Sequence, residues 1–154
     1  MTPRSIISRC RLLRDSAGSM AIETAFVVPV LAMISIGAFE VSTMVARQTE
    51  LQTAADEAAQ IALVAPPTDQ TAQNKLEDII EASTELAEND VSVNRKYRCG
   101  IDDDLVSTAS SCAEGAAITG YIQIDMTDSY TPIWTQFGIG SGIEYNVTRT
   151  VLVG

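Results

Sequence analysis

A length of 154 residues holds one small domain and one membrane segment. The absence of histidine excludes the usual His-based triads and zinc sites. A net charge of −10, with no basic stripe in the bulk of the chain, argues against nucleic acid as a partner.

The charge is unevenly placed. Residues 1–18 carry Arg4, Arg9, Arg11 and Arg14 against Asp15 alone, a balance of +3 that leaves −13 for the rest. A basic leader before an apolar span and an acidic domain after it follows the positive-inside rule. It predicts a cytoplasmic N-terminus and a domain on the far side of a membrane. The mean hydropathy of +0.14 is high for a soluble domain and comes largely from one stretch.

That stretch runs from Ala21 to Val45, interrupted only by Glu23, Thr24, Ser35, Glu40, Ser42 and Thr43. Its cleanest part, Ala25 to Phe39, falls short of the ~20 residues that span a hydrocarbon core. Extension to Met44 supplies the length and places Glu40 near the far interface, where a carboxylate reaches water. Pro29 lies inside the span, removes one backbone hydrogen bond and predicts a kink. The segmentation expected is a leader at 1–18, a transmembrane and assembly helix at 19–45, and an extracytoplasmic α+β domain at 46–154.

The helix is expected to continue past the membrane. Residues 46–65 contain neither Gly nor Pro, and Leu51, Ala54, Ala55, Ala58, Ile61, Ala62 and Ala65 recur at helical spacing. Gln48, Gln52, Asp56 and Gln60 form the opposite face, and Pro66-Pro67 ends the run. A continuous helix over about 20–65 would be on the order of 70 Å long. Few globular domains of this size need such a rod, whereas a helical filament does.

Thr68 to Glu88 reads as a second helix with Ala72, Leu76, Ile79, Ile80, Ser83 and Ala87 inward. After a turn at Asn89-Asp90, Val91 to Tyr97 alternates as a strand. Gly100 to Gly115 reads as a loop. Ile118 to Met126 alternates again, with Ile118, Ile122, Ile124 and Met126 on one face. Tyr130 to Gly142 is a connection holding Trp134 and Phe137. Ile143 to Val153 is the last strand, inward at Ile143, Tyr145, Val147, Val151 and Val153, with Arg149 an exception on that face. The expected fold is α+β: a long N-terminal helix and a second helix on an antiparallel sheet of about three strands.

Cys10 sits in the leader, and Cys99 and Cys112 both fall in the exported domain. In an oxidising compartment the latter two read as a disulfide, worth roughly 3 kcal/mol in the chain-entropy model. Asp102-Asp103-Asp104 lacks the spacing of a calcium loop and reads as a solvated turn. Asn146-Val147-Thr148 fits the glycosylation pattern but lies within a predicted strand. No phosphate-binding glycine loop and no convergent catalytic set are visible, so neither an enzyme nor a cofactor is expected.

The sharpest feature is Glu23, five positions past Gly18 at the head of the apolar helix. A charge near the centre of a membrane helix costs roughly 2.5–3.5 kcal/mol on insertion scales, which calls for a use. The order of basic leader, glycine, glutamate and apolar helix resembles the processing signature of type IV prepilins. The run also carries Ile22-Glu23, Ala25-Phe26, Pro29, Phe39-Glu40 and an Ala-rich segment after the span. In these residues it resembles TadE-like proteins, the minor pilins or pseudopilins of bacterial tight-adherence (Flp-type) pili. The resemblance covers about residues 14–65 firmly. Beyond that it is loose, resting on Tyr130-Thr131-Pro132, a Gly-rich loop and a last strand with Arg149.

The resemblance implies a pilin-like fold and a role in pilus assembly at the inner membrane, with the C-terminal domain periplasmic. It implies cleavage after Gly18 by a prepilin peptidase, and partnership with a major pilin and a second TadE-like pseudopilin. Cleavage would make Ser19 the new N-terminus, with an α-amine pKa of about 7.7–8.0. Glu23 of one subunit would then pair with that amine of a neighbour, which repays the desolvation of both charges only in the correct register. Two other readings remain open. Ser35-Ile36-Gly37 resembles an ordinary signal cleavage site that would release a secreted binding protein beginning at Ala38. An uncleaved signal anchor would keep Met1 or Thr2.

Overall fold

The computed structural model describes residues 16–153, with side chains from residue 20 onward. The expected leader falls mostly outside the described residues, and with it Cys10 and the leader arginines. The chain divides into two units, the first ending at Ser42 and the second running from Thr43 to Gly154. The first helix, α1, spans Ser16–Val64 without interruption at Pro29. Ala65 still donates to the Ile61 carbonyl at 2.9 Å before the two prolines end the helical run.

In the second unit, α1 buries Leu51, Ala54, Ala55, Ala58, Ala59 and Ala62. This is the predicted stripe with three differences: Ala59 is inside, Ile61 is 41% exposed at the edge, and Ala65, past the end of the helix, is exposed. The alanines offer a flat face to the larger Val93, Ile122, Ile124 and Met126 of the sheet, in one continuous core. Small residues set against large ones let the layers interdigitate. Each fully buried Leu, Ile or Met in that layer contributes roughly 1.5–3 kcal/mol.

Helix α2 covers Gln70–Thr84. Asp69 caps it, accepting from the Ala72 N–H at 2.7 Å. Glu85 terminates it in the left-handed region at φ 58°. The helix is thus shorter than expected, and its buried face is Gln73, Leu76, Ile80 and Thr84. Ile79, expected inside, is 51% exposed. The rotation is possible because Thr84 donates its hydroxyl to the Ile80 carbonyl at 2.7 Å and so buries no unpaired polar group.

The sheet has four antiparallel strands in the order β2-β1-β3-β4. They are β1 (Val91–Cys99), β2 (Leu105–Val106), β3 (Ile118–Tyr130) and β4 (Ile143–Leu152). The fourth member is β2, which pairs Val106 with Tyr97 inside the segment expected to be a loop. Strand β3 continues past Met126 to Tyr130 because β4 pairs with it as far as Ile143. Val93 lies opposite Ile124, and Met126 opposite both Val91 and Val147, so the apolar sets share one face. The outer edge of β1 is partly closed by α2, where Glu77 accepts from the Val93 N–H at 2.7 Å.

Candidate functional site

The expected functional residues lie at the start of α1. Gly18 and Ser19 are helical, in its first turn and a half. Glu23 follows Ser19 by four residues, so the two lie on one helix face a turn apart. The Glu23 side chain is exposed and makes no ion pair among the described residues.

Around Glu23 the helix is apolar on every side. Phe26, Met33, Ile34 and Phe39 are each more than three-fifths exposed. Its most apolar window has a mean hydropathy of 2.0 and no buried residue, and by length and composition the helix can cross a membrane. The polar side chains within it are accommodated by local bonds. Thr24 donates to the Met20 carbonyl and Ser35 to the Leu31 carbonyl, both at 2.8 Å. Pro29 lacks the N–H that would reach Ala25, which leaves that carbonyl to other donors. Glu40, expected to reach water, is instead only 8% exposed and partnered.

In the second unit the structure builds a side-chain junction around Arg47 that was not among the expected functional residues. Its guanidinium donates to Asp128 at 2.6 Å and to the Thr84 carbonyl at 2.9 Å, and it lies 3.0 Å from Glu50. One side chain thus joins α1, the C-terminus of α2 and the end of β3. A cation at a helix C-terminus also complements the exposed carbonyls there. Partial burial opposes the Arg47 charge, but the hydrogen bonds to Asp128 and Glu50 outweigh it and hold its pKa above the ordinary arginine value. Beside it, the Tyr145 hydroxyl donates to the Met44 carbonyl at 3.3 Å. Burial pushes the Tyr145 phenol up, and the Asp128 charge adds to the shift.

Arg149, the exception on the inner face of β4, is explained by Asp56 on α1, 2.6 Å away. Cys99 and Cys112 are bonded to each other, with Cα atoms 5.3 Å apart, and pin the segment that contains β2. Asp102, Asp103 and Asp104 are all exposed, and no cluster of metal-binding side chains occurs among the described residues.

The structure therefore gathers Gly18, Ser19, Glu23 and Pro29 on one helix and leaves the disulfide in the other unit. A cue to the Arg47 junction was present: Arg47 is the first cation after the apolar span, with Glu50 one turn on. Its partner Asp128 lay beyond the expected end of β3 and had no such cue.

No curated protein and no solved structure matches the chain. A family model does: residues 18–60, from the glycine of the candidate cleavage site into the alanine stripe of α1, match the family described as TadE-like protein.

Proposed function

We propose that this chain is a minor pilin or pseudopilin of a tight-adherence pilus, held in the bacterial inner membrane by α1 before assembly. The reading rests above all on one observation: the segment that matches the TadE-like family is also the exposed apolar helix that carries Glu23. An apolar helix left uncovered by its own chain needs lipid or other helices around it. A pilin-like subunit uses both in turn, lipid before assembly and neighbouring helices afterwards.

In this reading a prepilin peptidase cuts after Gly18 on the cytoplasmic face. The new Ser19 amine and Glu23 are then the charged groups at the head of the assembly helix. Glu23 of one subunit meets the amine of the next, and a misregistered subunit leaves both charges unpaired in a poorly solvated environment. The major pilin and a second TadE-like pseudopilin are the partners. The domain from residue 46 onward projects into the periplasm, or from the pilus. It acts as a structural element without catalysis.

The test is genetic. Pili and surface attachment are expected to disappear when the chain is deleted and to return with the wild-type copy. Unchanged pili in the deletion strain would contradict the assembly role.

A further inference from the structure

The connection between β3 and β4 has no part in the assembly reading, yet its composition and position are unusual. Residues 129–143 contain no charged side chain, although Asp128 and Glu144 flank them directly. It is the longest uncharged run after Arg47 in an otherwise acidic domain. Within it Phe137 is 76% exposed, Ile139 63% and Ile133 45%.

The loop is built rather than slack. Pro132 is fully buried and anchors it to the domain. The following residues, Ile133–Phe137, form a 3-10 turn ended by Gly138 in the left-handed region at φ 73°. Thr135 bonds back to the Pro132 carbonyl through its N–H at 3.1 Å and its hydroxyl at 2.8 Å, and the Ile139 N–H bonds to Trp134 at 3.3 Å. Gly140 passes close to the Trp134 indole, where an added Cβ would lie 3.6 Å from Nε1. These bonds fix Trp134 against the loop's own backbone and leave Phe137 and Ile139 outside. Ordered, exposed apolar side chains with no charge among them are matched to an apolar surface rather than to water.

Position identifies that surface. The Tyr145–Met44 and Arg47–Asp128 bonds place the end of β3 and the start of β4 beside the first residues of the second unit. The Arg149–Asp56 pair lies further along both elements. The loop beyond Tyr130 and Ile143 is therefore at the end of the domain where the chain arrives from its apolar segment. We infer that the β3–β4 loop dips into the lipid interface of the membrane that α1 crosses, with Phe137 and Ile139 in the upper acyl region and Trp134 at headgroup level. This rests on the membrane-anchored reading above. Trp and neighbouring apolar side chains are suited to that layer, where one part of the group is dry and the other wet. The anionic remainder of the domain is repelled by anionic headgroups, so an uncharged loop is the part suited to touch them.

Trp134 is the only tryptophan in the chain and reports on the loop directly. The full-length protein is reconstituted in vesicles, floated through an alkaline density gradient, and its emission is read on the floated fraction. The expected result is blue-shifted emission, quenched strongly by lipid brominated high on its acyl chains and weakly by lipid brominated near their ends. Replacing both Phe137→Ser and Ile139→Ser, at exposed positions, is expected to abolish most of the quenching while the Cys99–Cys112 bridge still forms.

Floated protein whose Trp134 is open to iodide and untouched by brominated lipid would overturn the inference and leave the anchor standing. Trp134 shielded from both would overturn it in favour of a protein neighbour. Undiminished quenching in the double variant would contradict insertion by those two side chains. Protein that fails to float would remove the anchor and the inference together.

Discussion

Arg47 donates to Asp128 at 2.6 Å across 81 residues of sequence, and the same guanidinium reaches the last carbonyl of α2 at Thr84. The contact locks the helix that arrives from the apolar segment to the end of the central strand.

Removing that guanidinium takes the Arg47 donor from the Asp128 Oδ2 and from the Thr84 carbonyl, at a site where both charged side chains are only 22% exposed; the Asp128 Oδ1 keeps the Ser129 N–H. Arg47→Met is expected to destabilise the second unit by about 2 kcal/mol, since hydrogen bonds to charged groups are worth roughly 1.5–3 kcal/mol. Arg47→Lys should recover only part, because a single ammonium does not reproduce the planar fork. Denaturant unfolding of the purified chain in detergent measures both. A silent Arg47→Met would contradict the junction.

Tyr145 supplies the pH dependence. Its phenol is raised by burial and by the Asp128 charge, so the folded state favours the neutral form. Its contribution to stability is complete below the unfolded tyrosine pKa of about 10 and is lost as pH rises through the higher folded value. Unfolding midpoints should fall across this alkaline range in the wild type and fall less in Tyr145→Phe. An identical alkaline profile in the variant would remove Tyr145 as the cause.

The Cys99–Cys112 bridge closes a loop of 13 residues in sequence separation. Opening a loop of that size costs roughly 3 kcal/mol in the chain-entropy model. Cys112→Ser should therefore lower the unfolding midpoint and expose residues 100–115 to protease first. Equal protease resistance of reduced and oxidised protein would show that the bridge contributes little.

Glu23→Gln separates pairing from processing. The amide keeps the shape and removes a costly charge, so a carboxylate that merely reaches headgroup water is replaced almost silently. If Glu23 meets the Ser19 amine of a neighbour, the variant strands an ammonium, a loss that reaches roughly 3–5 kcal/mol for a truly buried pair. The expected product is cut and membrane-inserted but does not co-purify with its pilin partners. Normal pili built from it would refute the pairing.

The long helix, the second helix and the three main strands were legible because each carries its apolar residues at one clear period. Misplaced residues have local causes. Ile61 and Ile79 are apolar but sit at the rim of their helices, while Ala59 and Thr84 are small enough to take the inner positions. Strand β2 is two residues long, too short for any alternation to register. Arg149 broke the pattern of β4 because its partner, Asp56, lies on a different element. The Arg47 junction joins residues from three elements, and no local spacing encodes such a meeting. At the head of α1 the charge, the glycine and the apolar run fall within a few consecutive residues, so the candidate site there is an expectation drawn from the chain alone.

The central claim is settled most directly by the N-terminus of the mature protein isolated from native membranes. Processing after Gly18 predicts Ser19 as the first residue, and uncut precursor when Gly18 is replaced by Phe. A chain that begins at Ala38, or one that retains Met1 or Thr2, would contradict it.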